Sequence, residues 1–359
     1  MTFVGLDLHK HYITACAISD LGEVLAEVRR LPVSMDALDN FLAPFADKIS
    51  FAMEATLYWQ WLHDQLDAKG HTARVADARQ VKLIWQTRSK TDPIDARKLA
   101  DLLRVNLFPA IWISDRDTRR RRQLLHGRAF LVRQSTQIKN RIHGRLTTRN
   151  ILFPQSDMYG RAGRAWLKAL ELPTELRREI DGLLRVYDSV KKEITELDNE
   201  VKRLRRDHPM IETLHTIPGV GIFGALFLVA EIGDVERFRS SHQLAAYAGL
   251  VPTTRSSGGK TTHGSVGHAS NRWLKWILVE IVQTLKQSPG PVGDQYRRLL
   301  RAKGKQKATT AAARKLCCYI YWMWKDGLSY ENWLARHERD VVNEVWPEVR
   351  PMQRMGAMA

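Results

Sequence analysis

Thr2-Phe3-Val4-Gly5-Leu6-Asp7-Leu8 reads as an apolar strand with one aspartate inside it, and Ile49-Ser50-Phe51-Ala52-Met53-Glu54 as another that ends on a glutamate. A carboxylate held in an apolar strand costs desolvation free energy, so its position calls for a reason. Strand alternation turns Asp7 away from Leu6 and Leu8, onto the opposite face of the sheet. Tyr12 to Ser19 and Val24 to Leu31 are two further β-rich runs separated by polar or turn-forming residues, which predicts an antiparallel meander. A helix is expected from about Met35 to Phe45, then the Glu54 strand, a helix from Tyr58 to Ala68 and a strand from His71 to Ala76. Helices near Gln80 to Trp85 and Pro93 to Val105 complete the pattern.

Three strands, then helix, strand, helix, strand, helix is the order of an α/β ribonuclease H-like domain, and residues 1–112 are assigned to it. The first and fourth strands are neighbours in such a sheet, so Asp7 and Glu54 can meet. Asp92 and Asp95, in Lys90-Thr91-Asp92-Pro93-Ile94-Asp95-Ala96, stand three apart at a helix start and share one face. Local grammar offers them a second role, because Asp92 suits an N-cap, Pro93 the first helical position and Asp95 the positive end of the helix dipole. Four converging carboxylates would repel one another. Two Mg²⁺ ions about 4 Å apart would hold them and activate an attacking oxygen for phosphodiester chemistry.

The acids are set in a basic chain. Its 359 residues carry 56 Lys and Arg against 39 Asp and Glu, a formal net charge of +17, which favours a polyanionic partner, nucleic acid first. No amphipathic terminal helix, lipidation signal or long apolar run supports a membrane partner, and no signal peptide is read before the first strand. A cytoplasmic protein associated with nucleic acid is expected. Cys16, Cys317 and Cys318 lack metal-ligand spacing and read as buried free thiols.

From Arg116 to Arg149 the chain carries Arg119, Arg120, Arg121, Arg122, Arg128, Arg133, Lys139, Arg141, Arg145 and Arg149, with almost no acid after Asp117. Leu124, Leu131, Ile138, Ile142 and Leu146 supply an apolar stripe at helical spacing. With the opposite sign missing from the run, nucleic-acid backbone contact is the expectation and a solvated helix face the alternative. Ile180, Leu183, Tyr187, Val190, Ile194, Leu197, Val201 and Leu204 then follow a three-four heptad spacing. Such a seam serves a coiled-coil partner, hence a homo-oligomer, or else packs within its own domain. Residues 113–208 are taken as this basic helix and coiled-coil region.

Residues 209–359 read as a mainly α domain. Pro218-Gly219-Val220-Gly221 between apolar helical stretches is helix-hairpin-helix-like, a turn whose Gly219 and Gly221 let backbone amides approach a phosphate; an ordinary tight turn has the same grammar. Further on, Pro252 to Lys260 and His263 to His268 are rich in Ser and Gly, and read locally as a flexible loop. Within it Ser257 has little steric cover, and Arg255, Lys260, Arg272 and Lys275 could hold a phosphate near it.

Taken together, Gly5-Leu6-Asp7-Leu8-His9-Lys10, the Glu54 strand, Lys90 to Ala96, Ile217 to Gly221 and Gly249-Leu250-Val251-Pro252 leading to Ser257-Gly258 resemble the insertion-sequence transposases of the DEDD class. That family pairs a RuvC-like amino-terminal domain with a serine-bearing carboxy-terminal transposase domain, and the likeness covers nearly the whole chain in order. The resemblance implies DNA recombination between donor and target, with a structured bridge RNA as guide in some members. It maps Asp7, Glu54, Asp92 and Asp95 onto the metal-binding tetrad and Ser257 onto the serine nucleophile, with Ser256 the adjacent alternative. Ser270-Asn271 and Leu274-Lys275 stand where the family usually has Gly-Asn and Leu-Arg, a departure in the phosphate contacts of that turn. Serine and tetrad are far apart in sequence, so one subunit's serine completing another's metal site is a further expectation. Two rivals remain: a RuvC-like nuclease using water, and a non-enzymatic nucleic-acid-binding protein whose acids are helix caps.

Overall fold

In the computed structural model β1 (Thr2–Leu8), β2 (Tyr12–Ile18) and β3 (Val24–Pro32) form the meander that the sequence predicts. The described residues are 1–45, 48–84, 92–154, 157–206, 208–257, 260–266 and 270–337, and for 206, 253–257, 260–263 and 265–266 only the backbone is described. The chain divides into two compact units, Met1–Ser114 and Asp115–Ala359.

In the first unit, α1 (Met35–Leu42) begins at Ser34, whose hydroxyl accepts from the Ala37 amide at 3.2 Å. β4 (Ile49–Glu54) then pairs parallel with β1, α2 (Trp59–Ala68) crosses back, and β5 (Thr72–Ala76) pairs parallel with β4. The sheet order is β3-β2-β1-β4-β5. α3 (Ala78–Ile84) and α4 (Asp92–Arg104) follow. Val4, Leu6 and Leu8 of β1 and Phe51 and Met53 of β4 bury one sheet face with Leu38, Leu62 and Leu66 of α1 and α2. The alternate positions point the other way. There Ala52 packs with Leu99, Leu102 and Leu103 of α4, and Cys16 with Ala96 and Ala100.

That second face is floored with small residues, and this sets how close α4 comes. A Cβ placed on Gly5 would lie 1.9 Å from the Ala96 carbonyl oxygen and 2.8 Å from the Ala100 amide nitrogen. The helix backbone therefore rests directly on the backbone of β1, with alanines at the contact. Asp7 and Asp92 sit at the same end of that contact.

The second unit is mostly helical. α5 (Arg116–Thr147) is capped by Asp115, which accepts from the Thr118 amide at 2.7 Å and the Thr118 hydroxyl at 2.7 Å. α6 (Arg161–Ala169) leads to α7 (Thr174–Arg203), which lies along α5. Ile142 and Leu146 of α5 pack with Leu176 and Ile180 of α7 and Leu167 of α6. Then come α8 (Met210–His215), α9 (Ile222–Ile232), α10 (Ser241–Tyr247), a β-hairpin of β6 (Pro252–Ser257) and β7 (Lys260–Val266), α11 (Arg272–Leu285), α12 (Pro291–Asp326) and α13 (Tyr330–Arg336). α9, apolar on every side except at Glu231, is buried from Gly224 to Ile232 and forms the centre of this unit's core. Cys317 and Cys318 are buried free thiols in the same core.

Two readings change here. The heptad seam of α7 meets α5 of its own chain, with Ile180, Tyr187, Ile194 and Val201 buried, so the seam by itself argues for no partner helix. The Ser/Gly-rich stretch after Leu250 is a β-hairpin rather than a loop, with Arg255 opposite Thr262, Ser256 opposite Thr261 and Ser257 opposite Lys260. Gly258 and Gly259, between the two strands, lie outside the described residues. Polar, β-branched Thr253, Thr254, Thr261 and Thr262 explain the strands, because a threonine-rich run favours pairing over coil. Among the described residues, no helix is long and apolar enough to cross a membrane.

The backbone contact at Gly5 gives a direct test. Gly5→Ala must lift α4 from the sheet, and the urea midpoint of unfolding should fall by an amount equivalent to about 3 kcal/mol. Gly127→Ala, at a helical glycine with nothing within 4 Å of its Cβ position, should not lower it.

Candidate active site

β1 and β4 run side by side with Leu6 opposite Met53, so the next step along both strands brings Asp7 beside Glu54 at their carboxyl ends. Both project to the α4 side, because Val4, Leu6 and Leu8 and Phe51 and Met53 take the opposite one. Asp92 and Asp95 enter from the first turn of α4.

Asp7 and Asp92 are joined by a residue that no motif argument singled out. His9 Nε2 lies 3.1 Å from Asp7 Oδ2 and 3.3 Å from Asp92 Oδ2. The Tyr12 hydroxyl donates to Asp92 Oδ2 at 3.1 Å, and the rings of His9 and Tyr12 stack with centroids 4.4 Å apart. Tyr58 fixes this turn from below: its hydroxyl donates to the His9 carbonyl at 2.8 Å and approaches the Tyr12 carbonyl at 3.3 Å. Burial, with the nearby Asp7 charge adding to it, pushes the Tyr58 hydroxyl up to about 12, so it stays a proton donor. A signal for His9 was present in the sequence, since positions 7 and 9 of an extended chain share a face.

Among the described residues, one group of three or more ligand-type side chains, Asp7, His9 and Asp92, has donor atoms all within 4.8 Å of one another. Glu54 and Asp95 are not in that group. Asp95 is still close enough to act electrostatically. Burial raises the Asp7 carboxyl above the ordinary aspartate value, His9 opposes this, and the charges of Asp95 and Asp92 add to the rise. Negative charge is thus concentrated against a partly buried carboxylate, a setting that a bound cation relieves. Hard carboxylate oxygens suit a divalent ion such as Mg²⁺ or Mn²⁺, and the imidazole is compatible with the latter.

In the second unit Ser257 lies on β6 and Arg255 two residues before it, with Lys260 opposite Ser257 on β7. The base of this hairpin segment is pinned. The Asn271 amide donates to the Tyr247 carbonyl at 2.8 Å, closing the segment between α10 and α11. Asn271 Oδ1 caps α11 by accepting from the Trp273 and Leu274 amides at 3.0 and 2.9 Å. Its Nδ2 donates to Glu231 Oε2 at 2.7 Å and to the Tyr247 hydroxyl at 3.1 Å. Glu231, buried in α9, also meets His126 Nε2 at 2.7 Å, and His126 stacks on Trp273 with centroids 4.2 Å apart. Asn271 is therefore a structural hub.

Gly219 and Gly221 lie between α8 and α9. Gly219 has φ +82° and a Cβ there would meet the Thr284 side chain at 2.7 Å, while Gly221 is the N-cap residue of α9. The α5 cations divide. Arg122 Nε donates to the Ala230 carbonyl at 2.7 Å and its Nη2 to the Glu231 carbonyl at 3.0 Å. Arg128 pairs with Asp198, and Arg141 and Arg145 both pair with Glu179, at 2.8 and 3.0 Å. The acid missing from the α5 sequence is thus supplied by α7, and the run is in part a salt-bridged surface. Arg120 pairs within α5 with Asp117 at 3.4 Å. Lys139 lies over the rings of Tyr159 and Tyr187. The Arg121 charge acts on Asp115, Arg119 is half-buried, and Arg133 is exposed.

Comparison with known proteins places the chain among transposases. A family model for the DEDD transposase of the IS110 type matches residues 4–151, and one described as the transposase IS116/IS110/IS902 family matches residues 211–297. The transposase for insertion sequence element IS1328 of Yersinia enterocolitica is 26% identical over 294 residues, covering 80% of this chain and 84% of that protein. An uncharacterized 43.6 kDa protein of insertion element IS110 from Streptomyces coelicolor is 27% identical over 306 residues, 71% and 75% of the two chains. A probable family 20 transposase of Pseudomonas aeruginosa is 25% identical over 288 residues, 77% and 78%. Both models describe transposases, enzymes of DNA recombination. The chain belongs to the IS110 family of DEDD transposases.

Two measurements follow from these geometries. A divalent cation at tenfold its dissociation constant should stabilise the protein by about 1.4 kcal/mol, a rise of a few degrees in melting temperature; Asp7→Asn and Asp92→Asn should each remove that rise. For Glu231, burial pushes the carboxyl up, but its hydrogen bonds to His126 and Asn271 and the charges of Arg122 and His126 outweigh it, and its value lies below the ordinary glutamate 4.5. A depressed folded value contributes stability that is present above the unfolded value and lost as pH falls through the folded one. The stability difference between wild type and Glu231→Gln, read from urea titrations, should accordingly be full at pH 6 and shrink below pH 4.5.

Proposed function

We propose that this chain cuts and rejoins DNA strands at the ends of an insertion sequence, with a RuvC-like, Mg²⁺-dependent carboxylate site in the first unit and Ser257 as nucleophile. The observation that carries the reading is the Asp7, His9 and Asp92 cluster at the carboxyl end of β1, with Glu54 next in register and the Asp95 charge acting on Asp7. A central strand flanked by an antiparallel meander on one side and parallel strands on the other supports the RuvC-like assignment. Asp7, Glu54, Asp92 and Asp95 would hold Mg²⁺, probed as a pair, which when bound polarises the scissile phosphate and stabilises the leaving oxygen.

The chain's own groups carry the remaining steps. Ser257 Oγ attacks phosphorus, a serine–phosphate ester forms, the bond from phosphorus to the 3′ oxygen breaks, and that oxygen leaves as a 3′ hydroxyl after taking up a proton. A 3′ hydroxyl of the strand to be joined then attacks the ester and returns the serine. Arg255 and Lys260, beside Ser257 in the hairpin, would hold the phosphate oxygens, while Tyr58 and Tyr12 keep His9 and Asp92 in place. Asp92 and Asp95 both open α4 and bind metal. Donor and target DNA are the substrates, and a structured bridge RNA is proposed as their guide, supported by the family and by a positive charge that serves RNA as well as DNA. A homo-oligomer is part of the proposal because Ser257 and the tetrad are far apart in sequence, so that one subunit's serine would complete another's metal site.

Trapping decides between serine and water. Denaturing the protein during turnover on a labelled donor should leave DNA attached to wild type and to Ser256→Ala, none to Ser257→Ala, and cleavage should fall by at least about 10³-fold in the last. Cleavage without any attached DNA would favour the water-using nuclease. Unchanged recombination in Asp7→Ala and Glu54→Ala would favour a binding protein without catalysis.

A further inference from the structure

The α5 run is rich in cations, yet Arg122, Arg128, Arg141 and Arg145 are engaged by carbonyls and acids of the same unit. A second run has the opposite character. α12 carries no acid between Asp294 and Asp326, while Arg297, Arg298, Arg301, Lys303, Lys305 and Lys307 fall within eleven residues. Arg297 is engaged by Asp294 and by the Lys286 and Ser288 carbonyls. Arg301, Lys303, Lys305 and Lys307 form no ion pair among the described residues.

Burial marks the same stretch. α12 is anchored at its start by Val292 and Tyr296 and from Ala308 to Met323 by much of the second unit's core, and every residue from Leu300 to Lys307 is exposed. Inside that exposed stretch the helix breaks at Gly304, with φ +77° and ψ 167°, a conformation essentially confined to glycine. A Cβ on Gly304 would meet nothing within 4 Å, so glycine is needed there for its backbone conformation and not for a close approach. Four cations in seven residues repel one another and bury nothing. Their cost to the folded state is offset when phosphates neutralise them.

We propose that Arg301, Lys303, Lys305 and Lys307, presented on either side of the Gly304 break, form a site for the phosphate backbone of duplex DNA. DNA is the occupant because the family acts on it, and because flexible lysines hold phosphates as point charges without reading bases. The site rests on DNA being the substrate and not on which group is the nucleophile, since binding is measured without catalysis.

Equilibrium binding to a fluorescent duplex, in EDTA and over 50 to 300 mM salt, tests it. The variant Arg301→Gln, Lys303→Gln, Lys305→Gln, Lys307→Gln should bind roughly tenfold or more weakly at 100 mM salt, and the slope of log K against log salt should flatten by about three to four. The two halves, Arg301→Gln with Lys303→Gln and Lys305→Gln with Lys307→Gln, should each flatten it by about half of that, which keeps the test open if the fourfold variant folds poorly. Arg141→Gln, in a cation already paired, should change the slope by less than one half-variant does. Unchanged affinity and slope on duplex DNA overturn the site, including the case in which only binding to a structured RNA of equal length falls.

Discussion

The approach of the α4 backbone onto the β1 backbone at Gly5 is the constraint from which the candidate site follows. With hydrogen in place of a side chain at Gly5, and Ala96 and Ala100 on the facing helix, two elements meet at a distance that any Cβ on Gly5 would prevent. Asp7 lies two residues beyond the contact on the strand, and Asp92 and Asp95 lie just before it on the helix. Small residues in the floor thereby convert sequence distance into a shared acidic point. The like charges so assembled oppose the fold locally, which is the usual condition of a site built for a cation rather than for stability.

Charge compensation organises the second unit in a similar way. α7 lends Asp198 and Glu179 to α5, and Glu231 draws His126, Asn271 and Arg122 around one buried carboxylate that also steadies the base of the β6–β7 hairpin. A helix that is basic in sequence is consequently less basic in its free surface, while α12 keeps a run of cations, Arg301 to Lys307, unpaired among the described residues and open to solvent.

Most elements of the first unit were legible because their signals were local. Period-two apolar runs gave β1, β2 and β3, and the first strand and the Glu54 strand match to the residue. Candidate acids were legible because a carboxylate in an apolar strand conflicts with its surroundings. His9 carries only the weak signal of lying two residues past Asp7, since a histidine after a strand shows no conflict until Asp92 arrives from more than eighty residues away. The heptad of α7 and the missing acid of α5 have one explanation that neither run shows alone: each is the other's partner across a helix pair. The hairpin at Ser257 reads as coil in the sequence because Ser and Gly outweigh the threonines that pair its strands.

Metal location tests the central claim most directly. Crystals of the protein soaked in Mn²⁺ should show two anomalous peaks about 4 Å apart, within coordination distance of Asp7, Glu54, Asp92 and Asp95, and Gly5→Ala should lose at least one of them. Mn²⁺ bound elsewhere, or no peak at the end of β1 while the four acids are ordered, would contradict the account.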